Sequence, residues 1–292
     1  YTTGERQKTT PKKGEDGMQK RLDSKSNLRQ KSLDNFFRQL PRELAPTDFP
    51  DPSSNPYFPG PSNHPEQTHI KMHKILRFLT KLSENNNNAW FQINQGLFME
   101  TQGVFACEVM DIIKKMTTTD PRLLNVKVRQ SMQRIQRDAR YTKSMEEPFH
   151  NHFSICFSPL GKACDHAGYC IHMEPRNRSY VSGGIVIESA KLNRLVRNRI
   201  VKHPEEYEAI INDPIFKKVF PQIDSPKLLR FPHGYDHDAD YADLIMPRNF
   251  MISSKIPDRE FSKKGWQDLV AARLLLMKSF VDFIEKAIEE EA

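Results

Sequence analysis

The stretch RIQRDARYT, residues 134–142, sets three arginines and one aspartate within seven consecutive residues. Guanidiniums at that density hold carboxylates or phosphate oxygens through paired N–H donors. Read as an extended strand, Arg134, Gln136, Asp138 and Arg140 share one face, and Ile135, Arg137, Ala139 and Tyr141 share the other. Asp138 then lies beside two guanidiniums, but one carboxylate does not neutralise three arginines. The remaining charge calls for a second acid of the same chain or for a bound anion. HGYDHDADY, residues 233–241, offers Asp236, Asp238 and Asp240. Asp236 is the acid expected to complete an internal ion network with Arg134, Arg137, Asp138 and Arg140. A phosphate or nucleic-acid grip is the alternative. Residues 122–143 carry Arg122, Lys127, Arg129, the three arginines and Lys143 against Asp138 alone. Only Tyr141 is there to stack on a base, so contact with a nucleic-acid backbone or an acidic protein face is easier to support than base readout.

A second set is His152, Cys156, Cys164, His166, Cys170 and His172. On strands, His152 and Cys156 fall on one face, and so do Cys170 and His172. Pairing those strands would bring a tetrahedral zinc set within reach. The spacing matches no ligand signature and contains no CxxC. The expectation is therefore no metal and no other cofactor, with reduced thiols and polar-face histidines. His152, Cys156, Cys170 and His172 are the set that would hold an ion if any did. HGYDHDADY has the chemistry of metal ligands or an acid–base pair, but Gly234 and the aspartates suit a turn, which is the reading adopted. SGG at residues 182–184 lacks the Lys-Ser/Thr of a phosphate loop and is expected as a bulge or bend between strands. The chain has no nucleophile elbow and no Rossmann or Walker pattern, and no catalytic residue is assigned.

These residues need elements to hold them. HIKMHKILRFLTKLSE puts Ile70, Met72, Ile75, Leu76, Phe78, Leu79 and Leu82 on a helical stripe that the NNNN of residues 85–88 ends. A second helix is expected from 89 to 116. The period then shifts toward two in VKVRQSMQRIQRD, HFSICFSP, AGYCIHMEP, SGGIVIES and later NFMISSKI, the candidate strands. Helices are expected over 190–201, after Pro204, at PIFKKVF and, as one long element, over 262–290. Strands joined mostly without crossover helices imply an α+β domain with a largely antiparallel sheet and helices packed on it. That domain is expected over residues 67–292. Residues 1–66 read as an extended arm, basic at first and then rich in proline, which cannot sit inside a helix or sheet. Phe36, Phe37, Tyr57 and Phe58 are its candidate partner anchors.

Composition narrows the role. The 292 residues are 37% hydrophobic with a mean hydropathy of −0.67, low for one compact globule and consistent with an arm outside the core. A net charge of +7 favours acidic partners, whether nucleic acid, anionic membrane surface or protein. Four cysteines are too few for a disulfide framework, and no apolar run reaches the length of a membrane span.

FLTKLSENNNNAWF, RIQRDARYT, GYCIHMEP, SGG, DPIFKKVF, FPHGYDHD and NFMIS, in that order, resemble the widespread family of domain of unknown function 2461 over residues 68–290. The resemblance implies an α+β fold and no particular reaction. The matching positions are Asn86, Asn87, Trp90, Phe91, Arg134, Arg137, Asp138, Arg140, Gly168, Tyr169, Gly183, Gly184, Pro232, Gly234, Tyr235 and Asp236. The chain departs from the family at SMEEPFH and at HDAD, where a proline is lost. A divergent copy with an added arm is expected to be a recruited, non-enzymatic accessory subunit. Tyr1 in place of methionine and the basic balance lead to a mitochondrial matrix location, otherwise cytoplasmic, within an assembly such as ATP synthase or a respiratory complex. The partners would be other protein subunits. An RNA-contacting mitochondrial ribosomal protein and a small-anion-binding or enzymatic domain are the alternatives.

Overall fold

The computed structural model describes residues 65–138, 147–160, 166–185 and 190–290. The arm, with Phe36, Phe37, Tyr57 and Phe58, and Arg140 of the arginine segment lie outside the described residues.

The apolar stripe of the first segment becomes α1 (Pro65–Glu84), with Met72, Ile75, Leu79 and Leu82 fully buried. Burying each such side chain is worth about 1.5–3 kcal/mol. The asparagine run then starts a new helix, because the Asn87 side chain accepts the Trp90 N–H at 3.0 Å. The single helix expected over 89–116 comes as two, α2 (Asn88–Ile93) and α3 (Gln95–Met116), divided at Asn94. The Asn94 side chain donates to the Trp90 carbonyl at 2.9 Å, a local bond that competes with continuing the helix.

The expected strand over 126–138 is corrected. Its start forms the short α4 (Val128–Ser131), and the rest is extended but joins no sheet ladder. Met132 bridges to Ile155 and Gln136 to Phe149, one bridge with each neighbour. The segment crosses from the edge of β1 to the chain at 148–150, so it contacts both and follows neither.

Four strands make an antiparallel sheet in sequence order: β1 (Phe153–Phe157), β2 (Gly168–Met173), β3 (Tyr180–Ile185) and β4 (Phe250–Lys255). The period of two sends Phe153, Ile155, Phe157, Tyr169, Ile171, Met173, Val181, Ile185, Phe250 and Ile252 to one buried face. Against it pack α3, α8 (Trp266–Leu276) and α9 (Lys278–Glu289). The long helix expected over 262–290 is thus a 3-10 turn at Asp258–Ser262 followed by two helices. Gly265, at φ 80°, sets the start of α8, and Met277 stands between α8 and α9. Between β3 and β4 lie α5 (Ala190–Lys202), α6 (Pro204–Ile211) and α7 (Pro214–Val219), the last capped by Asp213, whose side chain accepts the N–H groups of Ile215 and Phe216.

SGG is neither bulge nor bend. Ser182, Gly183 and Gly184 sit inside β3, in register with both β2 and β4. The glycines answer close approach instead. A Cβ on Gly183 would lie 2.9 Å from Met277 Sδ and 3.0 Å from Met277 Cβ. Gly184 has φ +122°, and a Cβ there would lie 2.2 Å from the Phe250 carbonyl oxygen.

Candidate functional site

The other face of the sheet carries His152, Ser154 and Cys156 from the β1 side and Cys170 and His172 from β2. The register sets Cys156 opposite Cys170 and Ser154 opposite His172. Cys156 and Cys170 form a cross-strand disulfide with Cα atoms 4.1 Å apart, which corrects the expectation of reduced thiols there. The pairing is a product of strand register, and a sequence separation of 14 carries no signal for it. It also removes both sulfurs from the four-residue metal set considered above. What remains of that set, His152 and His172, is joined by Glu174.

His172 is the centre. Its Nδ1 lies 2.7 Å from the Ser154 hydroxyl and its Nε2 lies 3.1 Å from Glu174 Oε2. Its ring stacks on Tyr180 at 4.4 Å, and the His152 ring is 4.3 Å away on another side. His150 extends the row, 4.9 Å from His152. Glu174 is fixed by the β2–β3 turn. Its N–H donates to the Ser179 hydroxyl, which donates back to the Glu174 carbonyl. Arg178 holds Glu174 Oε1 at 2.6 Å.

Burial disfavours the charged imidazole at all three histidines. The His152 pKa falls to about 3 through burial and then the nearby His172, His150, Arg137 and Arg178. His150 is lowered by burial and by Arg137. His172 is lowered by burial, against the pull of Glu174. The row is therefore neutral near pH 7, the protonation state in which imidazole nitrogens accept hydrogen bonds or ligate cations.

Residues that the resemblance singled out place this row. Asn86 clamps the Phe149 backbone from both ends, its amide donating to the carbonyl at 2.8 Å and its oxygen accepting the N–H at 3.0 Å. Arg137 Nε donates to the same carbonyl at 3.0 Å, and a terminal nitrogen reaches Glu147 at 3.3 Å. The Phe149 ring stacks on Phe91 at 4.0 Å, and the His150 N–H donates to the Ile135 carbonyl at 2.7 Å. The segment that presents His150 and His152 is thereby tied to the loop after α1 and to the arginine segment.

The strand-like alternation of residues 134–138 holds in part, with Ile135 buried and Arg134 and Gln136 exposed. Arg137 finds its partners nearby rather than at Asp236. Asp236 sits in an exposed turn, where its carboxylate accepts the Asp238 N–H at 3.0 Å. Among the described residues no ion pair joins Asp236 to Arg134 or Arg137. HGYDHDADY is a turn, with Gly234 at φ 90°. Glu174 is the residue that the sequence analysis missed. Its signal was His-x-Glu, two residues apart and hence on one side of the chain.

The fold and this face define a class: an α+β domain with a four-stranded antiparallel meander, helices on one side and a histidine-bearing polar face on the other. Residues 74–283 match the family described as conserved hypothetical protein (DUF2461), and the chain belongs to that family. No curated protein and no solved structure matches the chain.

Proposed function

We propose that this protein is a non-enzymatic accessory subunit of a large mitochondrial assembly, of the ATP synthase or respiratory-complex kind, with its α+β body docked on neighbouring protein subunits. The observation that carries this reading is that strong charges of the body are engaged with one another across elements. Arg122 bridges Asp120 and Asp282, and Arg199 bridges Glu206 and Glu290. Glu285 of α9 receives His166 and the Ala167 N–H at the start of β2. A general acid or base must reach a substrate proton. These groups instead stiffen the joints between elements, which suits a docking body. Ile93 and Leu229, 85% and 104% exposed, are apolar side chains of the kind that a protein partner covers. The net charge of +7 favours an acidic face on that partner.

The test is native purification followed by sizing and cross-linking mass spectrometry. The chain should migrate with a large complex, and a stable monomer in organelle lysate ends the reading. Exposed Arg134 favours one second reading, RNA contact on a mitochondrial ribosome. That reading requires RNA binding that weakens steeply with salt and that falls when Arg134 is reversed to glutamate.

A further inference from the structure

Beyond docking, we propose that His152, His172 and Glu174 form a binding site for one divalent first-row transition ion of the zinc class, open at one or more coordination positions. One ligand atom from each of the three residues lies within 4.8 Å of the other two. A tetrahedral zinc site has bonds of about 2.0–2.2 Å and so ligand atoms about 3.3–3.6 Å apart. Binding an ion therefore requires the His152, His172 and Glu174 side chains to draw together by about 1 Å. Two imidazoles and one carboxylate suit zinc, iron(II), cobalt or nickel. Calcium and magnesium prefer all-oxygen shells.

The surroundings have the arrangement that metal sites use to orient their ligands. The Ser154 hydroxyl stands 2.7 Å from His172 Nδ1, and Arg178 takes Glu174 Oε1 at 2.6 Å, leaving Oε2 turned toward His172. The Ser179 hydroxyl locks the turn that carries Glu174, and Tyr180 stacks on the His172 ring. His152 and Glu174 are partly exposed, the Glu174 side chain at 15%, which gives an ion a way in, whereas His172 is 8% exposed. His150 stands next to His152 as a further nitrogen donor.

The 3.1 Å contact between His172 Nε2 and Glu174 Oε2 sharpens the choice. Two lone pairs do not approach that closely unless a proton or a cation lies between them. With a proton there, Nε2–H donates to Glu174 and Nδ1 accepts from Ser154. With a metal there, Nε2 and Oε2 turn to the ion and Nδ1–H donates to Ser154. The tautomer of His172 therefore reports occupancy.

The test uses the full chain freed of metal by chelation and then titrated with Co(II) and Zn(II), with Mg(II) as the control. One ion per chain should bind, with a Co(II) visible spectrum of low coordination number that Zn(II) displaces and Mg(II) does not. His172 should change tautomer by imidazole nitrogen NMR. Glu174→Gln and His152→Asn should each lower Zn(II) affinity by more than about 10-fold, and Ser154→Ala by about 10–100-fold, as outer-shell changes do. Thermal melts of each metal-free variant check folding. Glu174→Gln, close to isosteric, serves if His152→Asn does not fold. Failure to take up one ion at micromolar concentration overturns the site. So does uptake undiminished in Glu174→Gln, or uptake that depends on Cys156 and Cys170 instead.

Discussion

At the residue scale, the function of a motif is decided by the atom it touches, and sequence does not name that atom. Asn86 and Arg137 both belong to quoted family motifs, yet what they hold is the Phe149 backbone, which lies 63 residues from Asn86. Asn86→Ala leaves the Phe149 N–H without this partner and its carbonyl to Arg137 alone, so it should cost about 1–3 kcal/mol of stability in urea unfolding. It should also loosen His150 and His152, read as faster hydrogen exchange at those amides. Asp120 gives a second test. It is buried, and Arg122 grips it with two nitrogens at 2.7 and 2.6 Å. That side-chain hydrogen bond holds its carboxyl below the ordinary 3.8. With the folded pKa below the unfolded one, the unfolded chain takes up the proton first. The stabilisation is complete above the unfolded value and is lost as pH falls through the folded one. Asp120→Asn should therefore show a shallower loss of stability between about pH 5 and pH 2 than the parent, measured by denaturant midpoints across that range. Asp120, the carboxylate that answers Arg122, lies two residues before the arginine-rich span of residues 122–143.

At the scale of elements, the strands were legible where alternation was strict. NFMISSKI alternates buried and less buried positions from Phe250 to Ser253 of β4 because one face meets the helices, whereas in β1 Ser154 is buried along with Phe153 and Ile155. VKVRQSMQRIQRD also alternates, but a ladder needs a partner running alongside, and this segment meets two partners once each. Helix breaks at Asn94 and Gly265–Met277 were not legible, since apolar spacing continues across them. The paired glycines of β3 are read best through their neighbours. Gly183→Ala presses a methyl against Met277 at the α8–α9 junction and should cost about 1–3 kcal/mol, typical of overpacking. Gly184→Ala meets a rigid carbonyl oxygen and a positive φ together, so it should cost more than Gly183→Ala. Denaturant midpoints of the two variants check the order, and an equal or reversed order refutes the packing account.

At the scale of the molecule, much of the net charge lies outside the family match. Residues 1–31 hold nine Lys and Arg against four Asp and Glu, most of the net +7. Among the described residues the hydrophobic core runs from Met72 of α1 to Ala287 of α9, and the family match spans 74–283. The body should fold without the first 64 residues, because the family match begins only at residue 74. A chain starting at Pro65 should keep its melting temperature within about 4 °C of the full chain, since a difference below about 1 kcal/mol shifts the midpoint by only about 2–4 °C at this size. It should also elute from a polyanion column at lower salt, because fewer cations release fewer counterions. If the docking role is carried by the arm, the shortened chain leaves the native complex while still taking up metal at His152, His172 and Glu174. If it stays in the complex, the body is the attaching part, and Ile93 and Leu229 become the side chains to change to aspartate.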